Sequence, residues 1–535
     1  MDVDKPVSAR TAVAVGLGLA GVAALVVSWF IDDLAEPALP AWLTWLGTVA
    51  VAVALLTVVR SQLAAHAVVA ALLGVAVTGL AVWGFADQYG RGYPGTSTVV
   101  AAVGGLAVTT TALMALRFRP EHGWRPKSVV VAAVAFLLVP AVAAPVALAV
   151  PDLALETTTA PAVAAPAVPG SVSEVAWSAE FDERVHEVVA AGAGVVLLLD
   201  DGVVALDGET GEVRWRRSRP GTEALRIDAS PDGATVVTQF QPHDRPTLRR
   251  EFLDAFTGEL RFATNHLDAR SRYGPRGLDT RLTDTSYVGV AEDGVTGYSL
   301  TDGARLFRYA PPAGCRADVR PGAHFVVGPG TLLTLDCGDE FRFVLVDGTT
   351  GEVRWDRAIT TPAGARLAPD RTSVAVQATI PGERGNHVVL DVATGDARPF
   401  TAEEVEELPG AGVAVVRSGE ESLLVDVTTG ETLTSDETFL ECVTDHRSAH
   451  LASGPVCVDP VRRDDDHDPI TQTARARLAF GTYAAPALRR VDGTFDLGPH
   501  QSVHDVVTVA APGAVVAAAL QEPDVGGTTW VVGLR

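Results

Sequence analysis

The chain has 535 residues, of which 47% are hydrophobic, and a formal net charge of −23. Residues 1–150 hold 7 acidic and 8 basic side chains, so residues 151–535 carry the whole acidic excess. A nucleic-acid-binding surface needs a surplus of cations, and an acidic domain repels phosphate. Nucleic acid is therefore not an expected partner. Arginine supplies nearly every cation, with lysine only at Lys5 and Lys127, as is typical of GC-rich bacterial genomes.

Five apolar stretches open the chain, and each has about the ~20 residues that a helix needs to cross a bilayer. They cover residues 11–31, 41–59, 63–85, 97–116 and 128–150. We therefore predict a five-helix transmembrane domain over residues 1–150. Cations precede the first stretch and fill the loop before the fifth, at Lys5, Arg10 and residues 117–127. The positive-inside bias places the N-terminus in the cytoplasm and residues 151–535 outside.

Two features inside these stretches are not interpreted as catalytic or transport sites. Residues 16–21 match GxGxxG, but no strand precedes them, so a dinucleotide site is not expected. Gly16, Ala20 and Ala24 instead form a stripe of small residues suited to close helix packing. His66 lies within about one turn of the predicted cytoplasmic interface and has no acidic partner in the other stretches, so it does not indicate a transport pathway.

Residues 151–173 are rich in Pro, Ala and Thr and lack apolar periodicity. A segment of this composition is extended and semi-rigid at ~3.1 Å per residue, which gives a maximum length of roughly 60 Å. We predict a stalk over residues 151–173, followed by an extracytoplasmic domain over residues 174–535.

The extracytoplasmic domain contains a recurring turn. It is most complete at residues 205–215, returns at 345–355, and recurs in weaker form near Asp254, Asp391 and Asp426. Each copy predicts a hairpin whose Asp caps the turn and whose Gly takes a positive φ, followed by a strand that begins Glu-Val-Arg-Trp. The motif residues of the two complete copies are Asp207, Thr210, Gly211 and Trp215, and Asp347, Thr350, Gly351 and Trp355.

A period of about 35 to 48 residues is the size of one four-stranded propeller blade. The last apolar strands, beyond residue 502, lack a closing strand, and residues 175–178 resemble the strand that would close them. We predict that residues 175–178 pair with the C-terminal strand to give eight blades, which hides the open sheet edges. Seven blades is the alternative, because residues 440–495 are irregular.

All four cysteines, Cys315, Cys337, Cys442 and Cys457, lie in the extracytoplasmic domain. Four cysteines allow three pairings, and the short separations favour Cys315 with Cys337 and Cys442 with Cys457. Disulfides indicate an oxidising compartment. A zinc site is not expected, because the chain has no CxxC pair.

The Ala-x-Asp-x-x-Thr-Gly-x-x-x-Trp pattern is similar to the tryptophan-docking motif of quinoprotein alcohol dehydrogenases and of PQQ-like repeat propellers. This resemblance covers about 360 residues. It implies either a dehydrogenase that binds pyrroloquinoline quinone and calcium, or a non-catalytic docking propeller such as the outer-membrane assembly lipoprotein of the β-barrel machinery. The chain lacks the adjacent cysteine pair of the dehydrogenases, and only two repeats keep both the turn and the Trp.

We therefore expect a non-catalytic binding or scaffolding module of the bacterial cell envelope, anchored in the plasma membrane. Its expected partner is an envelope protein or glycan, with membrane lipid around the helices. The alternative is a membrane-bound dehydrogenase that uses pyrroloquinoline quinone with calcium and reduces a membrane quinone. Residues 462–468 could supply carboxylates to calcium, but acidic runs are usually solvated. We expect no cofactor and nominate no catalytic residue.

Overall fold

The structure is a computed structural model with two compact units, one containing the N-terminal helices and the other the sheets. It describes residues 9–29, 48–53, 64–90, 94–117, 126–150, 153–242, 248–264, 282–319, 324–338, 340–360, 363–368, 371–378, 385–410, 412–445, 448–461, 473–491, 495–499, 506–520 and 529–535.

The helical unit contains four long helices in its described part. They are α1 (Ala9–Ser28), α2 (Ala64–Gly90), α3 (Thr96–Arg117) and α4 (Pro126–Ala149). All four are long and apolar enough to cross a membrane, with mean hydropathies between 2.0 and 2.6. Large apolar side chains point away from the bundle, including Leu72, Val130 and Leu137 at 64%, 61% and 62% exposure. Apolar helices with exposed apolar faces indicate insertion into lipid.

The prediction of five spanning helices is not met, because the described residues contain four. Of the predicted second span, residues 41–59, only residues 48–53 are described, and these are helical. The remainder of that span lies outside the described residues.

Small residues let the helices approach closely, as the sequence indicates. A Cβ added at Gly16 would collide with the Ala132 carbonyl on α4, and one added at Gly21 would lie 2.8 Å from the Gly104 carbonyl on α3. Ala20 is 3% exposed and packs between α3 and α4. Close backbone approach through small residues is how helices associate in lipid.

The second unit begins with two short strands and the first two blades. These strands are β1 (Glu156–Thr158) and β2 (Val175–Phe181); β3 (Glu187–Ala191), β4 (Gly194–Leu198), β5 (Gly202–Asp207) and β6 (Val213–Ser218) in blade 1; and β7 (Thr222–Ala229), β8 (Thr235–Pro242), β9 (Arg249–Asp254) and β10 (Leu260–Thr264) in blade 2.

Blades 3 to 5 follow in chain order. They contain β11 (Ser286–Ala291), β12 (Gly294–Ser299) and β13 (Arg305–Tyr309); β14 (Arg316–Ala317), β15 (His324–Val327), β16 (Gly330–Asp336), β17 (Phe341–Asp347) and β18 (Val353–Ile359); and β19 (Ala363–Leu367), β20 (Ser373–Gln377), β21 (His387–Asp391) and β22 (Ala397–Phe400).

The last three blades include one short helix, α5 (Glu437–Thr444), between blades 6 and 7. The strands are β23 (Glu404–Gly410), β24 (Val413–Ser418), β25 (Glu421–Asp426) and β26 (Thr432–Thr434); β27 (Ala449–His450), β28 (Pro455–Val461), β29 (Thr473–Gly481), β30 (Leu488–Arg490) and β31 (Phe495–Pro499); and β32 (Val506–Ala511), β33 (Ala514–Ala519) and β34 (Thr529–Leu534).

The described strands form eight sheets, so the propeller has eight blades rather than seven. In the eighth sheet, β2 pairs antiparallel with the C-terminal strand β34, from Val175 opposite Leu534 to Phe181 opposite Thr529. The predicted ring closure by residues 175–178 is therefore confirmed. Joining the two ends of the domain in one sheet leaves no terminal blade with a missing strand.

The core lies between neighbouring blades. The middle strands β4 and β33 are buried at every residue, because one face packs on the preceding blade and the other on the following blade. This two-sided burial explains why both strands are uninterrupted runs of apolar residues instead of alternating patterns. Trp177, Val195 and Val516 belong to one cluster that joins blade 8 to blade 1.

An aromatic residue of the repeat docks on the next blade in blades 1 to 4 and in blade 8. Trp215 of blade 1 is fully buried, and its indole N–H donates to the Ala255 carbonyl in the repeat turn of blade 2 at 2.9 Å. Gly258 in that turn has φ 76°, and an added Cβ would lie 2.7 Å from the Trp215 ring. The glycine is needed both for the left-handed turn and for contact with the indole.

The same contact recurs around the ring. Trp177 donates to the Gly208 carbonyl and Trp355 to the Val392 carbonyl, both at 2.9 Å. Phenylalanines take the position in blades 2 and 3, where Phe262 lies against Gly303 and Phe307 against Gly351.

We expect Trp215→Ala to lower the free energy of unfolding by about 3–5 kcal/mol, because it removes a fully buried indole from a packed interface. Trp215→Phe keeps most of the ring but loses the hydrogen bond to Ala255, at a cost of about 1 kcal/mol from the bond itself. Trp355→Ala is the matched control, since Trp355 is only partly buried and its loss should cost less. Thermal unfolding of the detergent-solubilised protein, followed by circular dichroism, measures the order. Equal losses of unfolding free energy for Trp215→Ala and Trp355→Ala would contradict the deeper burial described for Trp215.

Candidate functional site: the repeat-turn face of the propeller

Each blade presents two turns at one end, and we call the end of the propeller that carries them the repeat-turn face. The turn between the first and second strands and the turn between the third and fourth strands lie together, because antiparallel strands alternate in direction. Backbone hydrogen bonds join the two turns within a blade, as from Gly208 N–H to the Ala193 carbonyl at 3.0 Å and from Gly348 N–H to the Pro329 carbonyl at 2.9 Å.

The Asp of the complete repeats organises its own turn. The Asp207 carboxylate accepts hydrogen bonds from the N–H groups of Glu209 and Thr210 and pairs with Arg214. Gly211 closes the turn with φ 74°.

Asp347 repeats this arrangement with Thr349, Thr350 and Arg354. Burial acts to raise the pKa of Asp347, but the two N–H donors and Arg354 together hold it below its usual value. These contacts describe a structural turn, because the Asp carboxylate is used to fix the backbone of its own turn.

The segment predicted as part of a free stalk lies along this face. Residues 157–170, which we call the strap, begin at the outer edge of blade 1, where β1 pairs with β6. Arg216 N–H donates to Thr158 Oγ1 at 2.9 Å, and Arg214 Nη2 donates to the Pro161 carbonyl at 2.8 Å. Ala160 N–H donates to the carbonyl of Thr257, in the repeat turn of blade 2, at 3.0 Å.

The strap then reaches the inner turns of the last two blades. Gly513 N–H, in the turn between β32 and β33, donates to the Ala167 carbonyl at 3.0 Å. Ser453 Oγ, in the turn between β27 and β28, donates to the Gly170 carbonyl at 2.6 Å. Hydrogen bonds therefore hold residues 157–170 on the propeller. The length of roughly 60 Å calculated for a free stalk does not apply to them.

The first strands of the blades line the propeller axis and carry buried charges. β32 contacts both β3 and β27, and β19 contacts β23, as expected for an inner ring. Glu187 on β3 accepts a hydrogen bond from the Ile227 N–H on β7 at 3.1 Å, and Asp228 pairs with Arg226 at 3.0 Å. Burial raises the pKa of Glu187 to about 7, with Asp228 adding to the effect. Burial also raises the pKa of Asp228, against the opposing charge of Arg226.

Further charges lie in inner turns on the repeat-turn face. Asp284 N–H donates to the Gly328 carbonyl of blade 4 at 3.1 Å, and the Asp284 carboxylate accepts from the Asp232 N–H of blade 2. Burial and the negative charge of Asp232 raise the pKa of Asp284. Arg371, in the turn between β19 and β20, has φ 57°, which is rare for a residue with a Cβ. Burial lowers its pKa, although Asp228 and Asp284 favour its charged form. We call Glu187, Arg226, Asp228, Asp232, Asp284 and Arg371 the axial cluster.

Sequence reasoning did not identify the axial cluster. Its members come from blades 1, 2, 3 and 5, and no motif connects them along the chain. The available signal was local: Glu187 is an acidic residue in a first strand that is otherwise apolar, whereas Asp228 lies in a strand that also carries Glu223 and Arg226. One such residue is unremarkable in a sequence, and only the closed ring brings several together.

The predicted cysteine pairs both form in the structure, as Cys315 with Cys337 and Cys442 with Cys457. The first pair joins the chain on either side of β15 and β16, and the second ties α5 to β28. The acidic run at residues 462–468 lies outside the described residues. Within the described part of the chain, no three His, Cys, Asp or Glu side chains form a metal-binding group.

The raised pKa of Glu187 makes the stability of the propeller depend on pH. The folded protein retains a proton on Glu187 between the unfolded value of 4.5 and the folded value of about 7, so it binds more protons than the unfolded chain in this window. Stability should therefore fall as pH rises from about 4.5 to about 7, by about 3 kcal/mol if no other group compensates. Melting temperatures measured from pH 5 to pH 8 test this dependence.

Glu187→Gln is the matched variant, because it keeps the shape and one hydrogen-bond acceptor while removing the charge. It should flatten the pH dependence and raise the melting temperature above pH 7. Parallel curves for the natural protein and Glu187→Gln would show that Glu187 does not titrate in this range.

Comparison with known proteins gives one family match. The family model for outer membrane protein assembly factor BamB, a PQQ_2 family, matches residues 140–245. No curated protein matches the chain.

Solved structures show only a distant likeness. The Dos1 propeller is 10% identical with a TM-score of 0.34, and the match covers 66% of this chain and 93% of that one. The dihydro-heme d1 dehydrogenase NirN is 12% identical with a TM-score of 0.31, covering 80% and 84%. An oligogalacturonate lyase in complex with manganese is 13% identical with a TM-score of 0.32, covering 65% and 99%. TM-scores this low carry no argument about function.

The assignment rests on the repeats themselves. The eight-bladed ring, the Asp-x-x-Thr-Gly turns that receive an aromatic side chain from the preceding blade, and the match over residues 140–245 agree with one another. The sheet-containing unit of this chain is a PQQ-like repeat β-propeller.

Proposed function

We propose that this protein is a membrane-anchored, extracytoplasmic propeller that binds or scaffolds another component of the bacterial cell envelope and does not catalyse a reaction. The observation that carries the proposal is the pairing of polar side chains at the propeller axis. At the centre of the ring, Arg226 pairs with Asp228, and the Glu187 carboxylate accepts a hydrogen bond from the Ile227 N–H. A PQQ-like propeller with paired side chains at its axis still offers broad outer surfaces for docking.

The helices support membrane anchoring. Their apolar outer faces suit lipid, and each is long enough to cross a bilayer. The cations at Lys5, Arg10 and residues 117–127 favour a cytoplasmic N-terminus in the plasma membrane. Two disulfides in the propeller suit an oxidising compartment and therefore an extracytoplasmic location.

The partner is an envelope protein or glycan, and lipid surrounds the helices. The 58 acidic and 34 basic side chains of residues 151–535 make nucleic acid an unsuitable ligand. Binding to the outer surface of the propeller should depend on hydrogen bonds and shape, because a propeller presents repeated strand edges and turns around its circumference.

The competing function is a dehydrogenase that uses pyrroloquinoline quinone with calcium, and the axial residues do not fit that cofactor. Pyrroloquinoline quinone is a tricarboxylate and needs surplus cations around it. The axial cluster contains four carboxylates against two arginines, and the charges of Asp228 and Asp284 already act on Arg371. We therefore derive no cofactor chemistry for this axis.

The proposed topology predicts where the C-terminus lies. Alkaline phosphatase fused after Arg535 should be active in a bacterial host, because it folds only in an oxidising compartment. Green fluorescent protein fused at the same position should be dark, while a fusion before residue 1 should fluoresce. A fluorescent C-terminal fusion would place the propeller in the cytoplasm and contradict the proposal.

A cofactor titration separates the two functions. The full-length protein in detergent, titrated with pyrroloquinoline quinone and calcium, should show no saturable change in absorbance and no shift in melting temperature. Saturable binding with a raised melting temperature would favour the dehydrogenase, since a ligand that binds only the folded state stabilises it. Arg371→Gln is the control that would locate such binding at the axis.

A further inference from the structure

The two complete repeats of the chain share a set of three hydrogen-bonding groups, and one of these sets is occupied. In blade 1, the strap uses the Arg216 N–H, the Arg214 guanidinium and the Thr257 carbonyl from the turn of blade 2. The Thr158 hydroxyl of the strap accepts from the Arg216 N–H, and the Pro161 carbonyl accepts from Arg214. The Ala160 N–H donates to the Thr257 carbonyl. The chain itself thus shows which extended peptide a complete repeat can hold.

Blade 4 has the same three groups. Its strand β18 begins Val353-Arg354-Trp355, as β6 begins Val213-Arg214-Trp215. By position in the repeat, Asp356 N–H corresponds to Arg216 N–H, and Arg354 corresponds to Arg214. The carbonyl that corresponds to Thr257 belongs to Thr394, which precedes Gly395 in the turn of blade 5 as Thr257 precedes Gly258 in blade 2. Trp355 docks on that turn as Trp215 docks on the turn of blade 2.

The other repeats lack part of the set. Leu306 replaces the arginine in blade 3, and Pro399 replaces the tryptophan in blade 5. Blade 2 keeps an arginine, Arg261, but its guanidinium donates to Asp254, Thr235 and the Ala234 carbonyl of its own blade. Only the strands β6 and β18 therefore combine the arginine with the docked tryptophan.

The edge of blade 4 is more accessible than that of blade 1. β18 is the last strand of its sheet, and no described strand pairs with its outer edge, whereas β6 is covered by β1. The Arg354 side chain is 44% exposed and the Arg214 side chain 13%. The two strands differ in one charge, because Asp356 of β18 takes the position of Arg216 in β6. Each of these charges has a partner, since Arg216 pairs with Glu183 and Asp356 pairs with Arg342. The difference leaves no unpaired charge to oppose a peptide at β18.

We propose that the outer edge of β18 binds an extended segment of a partner protein with the pattern Thr-Xaa-Ala-Pro, in the manner in which the strap binds β6. The segment adds a strand to blade 4, its Thr hydroxyl accepts from Asp356 N–H, its Ala N–H donates to the Thr394 carbonyl, and its Pro carbonyl accepts from Arg354. The inference rests on the proposed binding function and names its site and the chemistry of its partner.

Fluorescence anisotropy of a labelled peptide tests the site. The probe has the sequence of residues 156–165, and it is titrated with the full-length protein in detergent. We expect saturable one-to-one binding, because the strap already occupies blade 1. Arg354→Ala should weaken binding about tenfold through the loss of a charge-assisted hydrogen bond. Arg398→Ala is the matched control, since it removes the arginine at the same repeat position of blade 5, and it should leave binding unchanged.

Peptide variants keep the test independent of protein folding. Thr158→Val in the peptide keeps its shape but removes the hydroxyl acceptor, and N-methylation at the position of Ala160 removes the N–H donor. Each should weaken binding at least severalfold. Absence of binding, or binding that ignores both peptide changes and Arg354→Ala, would overturn the proposal.

Two further outcomes would also overturn it. Binding that is altered by Arg214→Ala and not by Arg354→Ala would mean that the peptide exchanges with the strap on blade 1. A dimer seen by light scattering and lost in Arg354→Ala would make a second copy of this chain the occupant. An envelope protein that crosslinks equally to the natural protein and to Arg354→Ala would exclude the β18 site while leaving the proposed binding function intact.

Discussion

The contact on which the propeller depends is the one between an aromatic side chain and the glycine of the next blade. A single four-stranded sheet cannot bury both of its faces, so each blade needs its neighbours. The docked indole fixes the distance and rotation between blades because its N–H has one acceptor, as Trp215 has in the Ala255 carbonyl. The glycine lets the ring approach the turn closely, because a Cβ added at Gly258 would lie 2.7 Å from the Trp215 ring. Repeating this contact curves the chain into a ring, and the pairing of β2 with β34 closes it.

The outer edges of the blades follow from that arrangement. Burying the middle strands on both faces leaves the fourth strand of each blade as the boundary, with unused backbone groups along it. In blade 1 the chain covers this edge with its own strap, which hydrogen bonds hold on the propeller. The strap is rich in Pro and Ala, so it loses little conformational entropy when it is held by hydrogen bonds at separated points. Covered and uncovered edges then distinguish blades 1 and 4, which share the complete repeat motif.

The axis illustrates a different use of polar residues. Most carboxylates and arginines at the centre of the ring are partly buried, whereas Asp232 is exposed, and withdrawing charges from water is costly unless they satisfy one another. Their mixture of signs forms an electrostatic network, in which Asp228 pairs with Arg226 and the charges of Asp228 and Asp284 act on Arg371, while burial raises the pKa of Glu187. Such a network favours a fixed inner ring over an open cavity for a charged cofactor. Together with the acidic exterior, it is consistent with a protein that acts through its surfaces.

The amino-acid sequence by itself determined the propeller, its ring closure, the docking aromatics and both disulfide pairs, because each of these depends on a local pattern or on the spacing between patterns. It also located, from apolar length alone, the four described helices that are long enough to cross a membrane; of the other predicted span only residues 48–53 are described. Composition gave no information about the hydrogen bonds that residues 157–170 form with Arg214, Arg216 and Gly513, which are distant in the chain. Only the tertiary structure decided the path of the strap and the membership of the axial cluster. The physical reason is that the path of the strap and the membership of the axial cluster depend on which turns meet once the ring has closed. Residues such as Glu187 and Arg371 are far apart in the sequence, and only ring closure brings them together.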